Sequence, residues 1–279
     1  MSENRRFAVY GNPIKHSRSP FIHSAFGKQC GIALEYRAVR IELADFSRAT
    51  TAFFASGGAG LNITVPFKEE AFALVDESTP RARRARAVNT LWTDSAGRLR
   101  GENTDGVGLV RDMVANMGWQ LRGKSVLVMG AGGAVRGFLD PLLLEQPARV
   151  HIVNRTVEKA ERLCDEFSGG RYLSFSGYQD LPAEPFDLVV NGSSAGFSED
   201  ELQLDGVALS EKCCCYDMMY GPEPTPFMRW AAKNLAWAVS DGLGMLVEQA
   251  AEAFYVWHGV RPNSQPVIQQ LRGVLAAAA

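Results

Sequence analysis

At 279 residues the chain has room for about two domains of roughly 150 residues each. With 46% hydrophobic and 22% charged residues it reads as globular, not disordered, fibrous or repeat-built. Its 29 basic and 31 acidic residues leave a net charge of -2, which gives no electrostatic footprint for nucleic acid or an anionic membrane and points to a small-molecule partner.

The start, Met1 to Phe7, is polar and basic, and the apolar run Phe7 to Tyr10 is too short for a signal-peptide core. The longest apolar stretch, Leu243 to Trp257, is interrupted by Glu248 and Glu252 and falls short of a bilayer span. Three of the five cysteines are consecutive, Cys213, Cys214 and Cys215. Neighbours in an extended segment point to opposite faces, so they are poorly placed to pair or to share a metal. The expectation is buried, reduced thiols in a cytoplasmic protein.

Short apolar runs alternate with amphipathic stretches. Phe7 to Tyr10 reads as a strand, Ser19-Pro20 as a helix start with serine as N-cap, and Gly31 as that helix's end. Leu34 to Ile41 alternates as a strand, Ala44 to Ala55 is helical with Phe46, Phe53 and Phe54 near one face, and Leu61 to Val65 is a third strand. This β-α-β-α-β order predicts crossovers and a mostly parallel sheet. Ala87 to Trp92 and Arg98 to Arg100, flanking Asp94-Ser95-Ala96-Gly97, predict a hairpin at its edge.

A second α/β unit follows Gly106. Val107 to Met117 is amphipathic, and Ser125 to Met129 is a buried-type strand running into Gly130-Ala131-Gly132-Gly133. Next come a helix from Ala134, a strand at Val150 to Val153 and a helix from Thr156 to Phe167; Pro141 predicts a kink or break in the first helix. Phe186 to Val190 and Cys213 to Asp217 supply strands, and Leu243 to His258 and Ser264 to Leu275 are helical.

Gly130-x-Gly132 between a strand and a helix is a setting in which backbone amides and a helix N-terminus receive a pyrophosphate. The third position of that fingerprint is Val135, not glycine or alanine, and a plain strand-helix turn fits the same residues. The next strand ends in Asn154-Arg155-Thr156, with Lys159 one turn later. A ribose 2′-hydroxyl is usually read by a carboxylate at this place, whereas an arginine and a hydroxyl suit a 2′-phosphate. The position favours NADP over an N-cap threonine with solvated basic neighbours.

Polar residues also collect at strand ends in the first half: Ser17 and Ser19 around Arg18, Thr64 and Lys68 in Thr-Val-Pro-Phe-Lys-Glu-Glu, Asn89, and Asp105. Taken singly, Ser19 and Asp105 fit helix caps, and Lys68 fits a surface pair with Glu69 or Glu70. Together they form a pattern. The chain closely resembles the shikimate dehydrogenase family nearly from end to end. The resemblance is carried by Tyr-Gly-Asn-Pro-Ile-Lys-His-Ser-Arg-Ser-Pro from Tyr10, Asn-Ile-Thr-Val-Pro-Phe-Lys-Glu from Asn62 and Ala-Val-Asn-Thr-Leu from Ala87. It continues with Asn-Thr-Asp-Gly from Asn103, Gly-Ala-Gly-Gly-Ala from Gly130, Asn-Arg-Thr from Asn154, Tyr-Asp-Met-Met-Tyr from Tyr216 and Asp-Gly-Leu-Gly-Met-Leu-Val-Glu-Gln-Ala from Asp241.

The resemblance implies reduction of 3-dehydroshikimate to shikimate with NADPH, in aromatic amino-acid biosynthesis, by a monomer or homodimer. It implies two α/β domains: a substrate domain, residues 1–105 completed by C-terminal helices 242–279, and a Rossmann-like NADP-binding domain, 106–241, with a cleft between. Lys68 and Asp105 match the catalytic pair. Ser17, Ser19, Thr64, Asn89, Tyr220 and Gln249 match substrate contacts. Gly130, Ala131, Gly132, Gly133, Ala134, Asn154, Arg155, Thr156, Lys159, Met218 and Gly242 match cofactor contacts. Two departures stand out: Asn191-Gly192-Ser193-Ser194 replaces the usual Asn-Ala-Thr, and Pro80 falls where some members carry an acidic residue.

The implied chemistry needs no metal, and the four histidines (16, 23, 151, 258) show no ligand spacing. Hydride arriving at a ring ketone leaves an alkoxide that needs a proton, and a lysine ammonium, with an ordinary pKa of ~10.4, donates it. Asp105 would orient that ammonium, and Ser17 and Ser19 would hold the substrate carboxylate. Two other readings are a quinate/shikimate dehydrogenase accepting NAD, against which Arg155 argues, and a shikimate-sensing homologue without turnover, against which Lys68 and Asp105 argue.

Overall fold

The structure, a computed structural model, describes residues 5–167, 172–193, 204 and 206–277. It divides into two units: Met1–Gly108 with Val247–Val267, and Leu109–Leu246 with Ile268–Ala279. This differs from the expected division chiefly at the C-terminus, where only Val247–Val267 joins the first unit. The rest stays with the second because Arg272 grips the buried Asp241 carboxylate there, with Nη1 donating to Oδ2 at 2.7 Å and Nη2 to Oδ1 at 2.5 Å.

The first unit is built from β1 (Arg5–Gly11), α1 (Ser19–Cys30), β2 (Leu34–Arg40), α2 (Phe46–Ala55), β3 (Gly58–Ile63), α3 (Lys68–Leu74), β4 (Glu77–Ser78), α4 (Pro80–Ala85), β5 (Thr90–Thr93) and β6 (Leu99–Glu102). Its sheet runs β2-β1-β3-β5-β6-β4, with β1 parallel to both neighbours and β5 antiparallel to β3 and β6. The period-2 geometry of a strand sends alternate β1 residues into different cores. Phe7 and Val9 pack with Tyr36 and Trp257, while Ala8 and Tyr10 pack with Phe46, Leu61 and Phe67. Ser19 is the first residue of α1 and not its cap; Arg18 holds the cap position without a side-chain bond. The hairpin does not lie at the edge, because β4 pairs with β6 beyond it.

The second unit begins within α5 (Asp105–Arg111), whose first turn through Gly108 belongs to the first unit, and continues with β7 (Ser125–Met129), α6 (Gly133–Leu144), β8 (Arg149–Val153), α7 (Val157–Phe167), β9 (Leu173–Ser176), β10 (Phe186–Asn191), β11 (Leu209–Asp217), α8 (Pro226–Lys233) and β12 (Ala238–Ser240). α9 (Leu243–His258) and α10 (Gln265–Ala276) are each divided between the units. The second sheet is parallel throughout, in the order β12-β11-β10-β7-β8-β9. Counted from its first strand, that is the 3-2-1-4-5-6 order of dinucleotide-binding folds, with the switch point between β7 and β10.

Both faces of this sheet are covered, so its strands are apolar without alternation. Val126, Val128, Val150 and Ile152 fill one core, and Leu127, Met129, Val189, Cys213 and Cys215 fill the other. Cys214 turns to the opposite face from its neighbours, and all five cysteines are free thiols. α6 runs through Pro141 without a break, so of the expected kink or break the latter does not occur. The carbonyl that loses its donor belongs to Gly137, which has no side chain to crowd the proline ring, and Phe138, Leu139 and Leu142 anchor both sides in the core. Among the described residues no helix is long and apolar enough to cross a membrane.

Three histidines are held neutral by the fold. Burial, assisted by His258, pushes the His23 imidazole down to about 3; burial, assisted by Arg149, pushes His151 to about 4; burial, assisted by Arg5, pushes His258 to about 4. In the unfolded chain each takes a proton near pH 6.5, so the stability gained by keeping them neutral is complete above that pH and is lost as pH falls toward about 4. The urea midpoint should therefore drop between pH 6.5 and 4.5. His151→Gln, which cannot titrate, should drop less steeply; equal slopes would contradict the assignment.

Candidate active site

Lys68 opens α3, and its backbone carbonyl accepts from Val88 N at 2.9 Å, which fixes the helix start against the chain leading into β5. Its Nζ donates to Asp105 Oδ2 at 2.6 Å, with the two side chains 31% and 19% exposed. Lys68 thus meets Asp105, and not Glu69 or Glu70, the alternative surface partners. Asp105 is the first residue of α5, and its second oxygen accepts from Asn89 Nδ2 at 2.9 Å. Asn89 is buried and its amide is over-determined: Oδ1 accepts from Thr104 N at 2.9 Å and from Thr90 Oγ1 at 3.0 Å. The carboxylate of Asp105 is thus engaged by Lys68 and Asn89, not by capping α5.

Gln249 of α9 lies beside this group, with Asn89 Nδ2 at 3.5 Å from its Oε1. Thr64 follows β3 and its N–H donates to Tyr10 O at 2.9 Å, which places it at the C-terminal ends of β1 and β3. Ser17 Oγ accepts from Ser19 N at 3.4 Å, and Ser19 is buried. Lys68, Asp105, Asn89, Thr64, Ser17, Ser19 and Gln249 all belong to the first unit, whereas Tyr220, half-buried after β11, belongs to the second.

Sequence reasoning missed the supports of this group. Asn62 on β3 donates to Asn89 O and Thr90 Oγ1, both at 3.1 Å, and accepts from Tyr36 at 2.7 Å. Glu102, buried just before Asn103, accepts from Asn103 N at 2.7 Å and Thr79 Oγ1 at 2.7 Å. Arg81 bridges Glu102 at 2.8 Å and Glu252 at 3.2 Å. The one available signal was the pair of carboxylates, Glu248 and Glu252, inside an otherwise apolar helix. Among the described residues no three His, Cys, Asp or Glu side chains could together hold a metal ion.

In the second unit, Gly130 ends β7 in the left-handed region (φ 100°), which glycine adopts without penalty, and its N–H donates to Val153 O at 2.8 Å. Gly132 caps α6 with φ -88°, a conformation open to any residue. Nothing lies within 4 Å of where a Cβ on Gly132 or Gly133 would stand. The space above the exposed first turn of α6 is free, the helix N-terminus faces it, and Ala131 and Ala134 add only methyl groups; a pyrophosphate fits there. At the end of β8, Asn154 Nδ2 donates to Thr156 O at 2.8 Å and shapes the turn carrying Arg155. Arg155, Thr156 and Lys159 are exposed, and among the described residues neither cation makes an ion pair. The group therefore fits a phosphate dianion better than a bare ribose. Met218 N donates to Asn191 O at 3.0 Å, and a Cβ on Gly242 would stand 2.2 Å from Met218 O, so these two pack backbone to backbone.

Comparison with known proteins points to one family. Residues 9–91 match the shikimate dehydrogenase substrate binding domain, 112–197 match shikimate / quinate 5-dehydrogenase, and 242–272 match the shikimate 5'-dehydrogenase C-terminal domain. A shikimate dehydrogenase (NADP(+)) of Alkalilimnicola ehrlichii is 56% identical over 267 residues, covering 96% of this chain and 98% of its own. The chain belongs to the shikimate dehydrogenase family. Another member of that name, from Cellvibrio japonicus, is 52% identical over 95% of this chain and 96% of its own. Among solved structures, shikimate 5-dehydrogenase from Thermus thermophilus, in complex with NADP(H) and shikimate, aligns with TM-score 0.83 and 33% identity over 97% of this chain and 100% of its own. An Ael1 enzyme from Pseudomonas putida aligns with TM-score 0.89 and 43% identity over 96% and 98%.

Gly192, a departure from the shikimate dehydrogenase pattern, and Val135, a departure from the dinucleotide fingerprint, are physically linked. A Cβ on Gly192 would stand 2.6 Å from Val135 Cγ2 and 3.1 Å from Met218 Sδ, so Val135 occupies room that Gly192 leaves. Ser193 turns inward instead, donating from N and Oγ to Asn191 Oδ1 at 3.1 and 2.7 Å; Ser194 lies outside the described residues. Gly192→Ala should cost about 1–3 kcal/mol through overpacking. Adding Val135→Ala should recover part of it, so the double variant should be more stable than the sum of the singles, measured by denaturant unfolding. Strict additivity would show that the two positions do not share space.

Proposed function

We propose that the chain catalyses the reversible NADPH-dependent reduction of 3-dehydroshikimate to shikimate, with Lys68 and Asp105 as its acid-base pair. The observation that carries this reading is the Lys68–Asp105 contact of 2.6 Å, oriented from behind by Asn89. When bound, NADPH supplies the hydride that goes to the ring carbonyl carbon. The ammonium of Lys68 gives its proton to the oxygen left behind, so that a C–H and an O–H bond form as the C=O double bond is reduced. In the oxidation direction neutral Lys68 takes that proton back. Asp105 holds the ammonium and accepts from a substrate hydroxyl. Ser17 and Ser19 hold the substrate carboxylate through hydroxyl donors, and Thr64, Asn89, Gln249 and Tyr220 contact the rest of the substrate.

When NADP(H) is bound, Gly130 to Ala134 would receive its pyrophosphate, Asn154 to Thr156 with Lys159 would take its 2′-phosphate, and Met218 and Gly242 would complete the cofactor contacts. The five free thiols fit a reducing, cytoplasmic setting, and the net charge of -2 fits small-molecule partners rather than nucleic acid. The working form is a monomer or homodimer.

Nicotinamide absorbance with shikimate or quinate against NADP or NAD tests the reading: shikimate with NADP should be the preferred pair, and no turnover of shikimate would overturn it. Arg155→Ala should then weaken NADP by very roughly tenfold to over a hundredfold, the loss of a charge-assisted hydrogen bond of ~1.5–3 kcal/mol, while NAD is barely affected. Equal losses for both cofactors would remove Arg155 from the 2′-phosphate site.

A further inference from the structure

We propose that Gly108 is a positioning residue: its bare Cα lets the backbone of α9 rest against α5, and so sets the spacing between Asp105 and Gln249. The inference rests on the reading of Asp105 and Gln249 as substrate contacts given above. Gly108 follows Asp105 by three residues in α5, so the two share one face of the helix, one turn apart. Gly108 is buried, and a Cβ built on it would stand 2.6 Å from Gln249 N, 2.8 Å from its Cβ and 2.9 Å from its Cα. Carbon atoms in contact sit ~3.5–4.0 Å apart. The two helices therefore meet backbone to backbone here, at a separation that leaves no room for any side chain at position 108. Helix propensity does not account for the residue, because glycine weakens a helix interior relative to alanine. The contact with Gln249 does.

Both helices are tied to β5, β6 or the residues flanking them. On the α5 side, Asp105 N donates to Asn103 Oδ1 at 3.2 Å, and the two carboxylate oxygens take Asn89 and Lys68. On α9, Glu252 stands one turn beyond Gln249, and Arg81 Nη2 donates to Glu252 Oε1 at 3.2 Å and to Glu102 Oε2 of β6 at 2.8 Å. A further turn along, Trp257 Nε1 donates to Leu91 O of β5 at 3.1 Å. These bonds draw α9 inward, and Gly108 determines how near it comes at Gln249. The Asn89 amide spans the result: its Nδ2 lies 2.9 Å from Asp105 Oδ1 and 3.5 Å from Gln249 Oε1.

A methyl group at position 108 cannot be accommodated by turning a side chain, because the atoms it meets are the backbone and Cβ of residue 249. Asp105 is held at its N–H and at both carboxylate oxygens, so the turn of α9 that bears Gln249 is the part that yields. The Gln249 amide then withdraws from the substrate, while the Lys68–Asp105 pair keeps its geometry.

In steady-state shikimate oxidation Gly108→Ala should raise KM for shikimate by about two- to tenfold, as befits one neutral hydrogen bond, with kcat changed by less than about twofold and KM for NADP unchanged. In a Gln249→Ala background the same substitution should leave KM for shikimate where it was, because the side chain through which it acts is gone, while Tm still falls. A lowered Tm with unchanged KM, an equal rise in KM in both backgrounds, or a loss of kcat with KM unchanged would each overturn the inference. A crystal structure of the wild-type shikimate complex serves if the variant does not fold. It should show the Gly108 Cα in van der Waals contact with the Gln249 backbone and the Gln249 amide on the substrate, and an amide turned away from the substrate would overturn the inference. Failure of the wild-type chain to oxidise shikimate counts against the proposed reaction, whereas any of the overturning results with wild-type turnover intact counts against the role of Gly108 alone.

Discussion

Asp105 has two carboxylate oxygens, and the first unit is arranged so that one takes the Lys68 ammonium while the other takes the Asn89 amide. A lone, partly exposed ion pair is worth about 0–1 kcal/mol and does not hold two long side chains in one geometry. What holds this one is the buried half. Asn89 cannot rotate without losing Thr104 N and Thr90 Oγ1, and the loop bearing Asp105 is fixed from its other side by Asn103, whose Oδ1 accepts from Asp105 N at 3.2 Å and whose Nδ2 donates to Ala87 O at 3.1 Å. The half-buried lysine side chain is thereby held in one place, the arrangement the proposed proton donor needs.

In the second unit the proposed cofactor site is marked by what the chain leaves out. Around the Gly130 turn the chain withholds side chains from the first turn of α6, and at the end of β8 it leaves Arg155 and Lys159 without ion-pair partners among the described residues. Elsewhere on the same unit cations are occupied, as Arg136 is by Glu166 and Arg149 by the carboxylate of Glu184 and the carbonyls of Glu184 and Pro185. Open space at a helix N-terminus next to unneutralised charge suits the phosphorylated dinucleotide proposed to bind there.

Much of this was legible in the sequence because the signal was local. The second sheet's central strands announce themselves as apolar runs, since both of their faces are buried. β4, β9 and β12 are two to four residues long, too short for a pattern, and escaped notice. Ser19 looked like a cap because Ser-Pro is a common helix opening, yet it is the first residue of α1 and Arg18 holds the cap position. Pro141 looked like a break because sequence does not reveal how firmly the core holds both sides of it. Lys68 and Asp105 are 37 residues apart, and nothing in spacing joins them; only the family resemblance paired them beforehand. The supports behind them, Tyr36, Asn62 and Glu102, come from three different strands, and their roles exist only once the sheet order is known.

The most direct test of the account is shikimate oxidation by Lys68→Ala followed across pH. General acid-base catalysis is typically worth ~10²–10⁴-fold, so the variant should lose that much turnover at each pH. The climb in rate with rising pH that a proton-accepting lysine produces should disappear with it, and NADP affinity should stay intact because every residue proposed to hold the cofactor belongs to the other unit. Near-normal turnover with the climb preserved would contradict the account and make Lys68 a binding residue only.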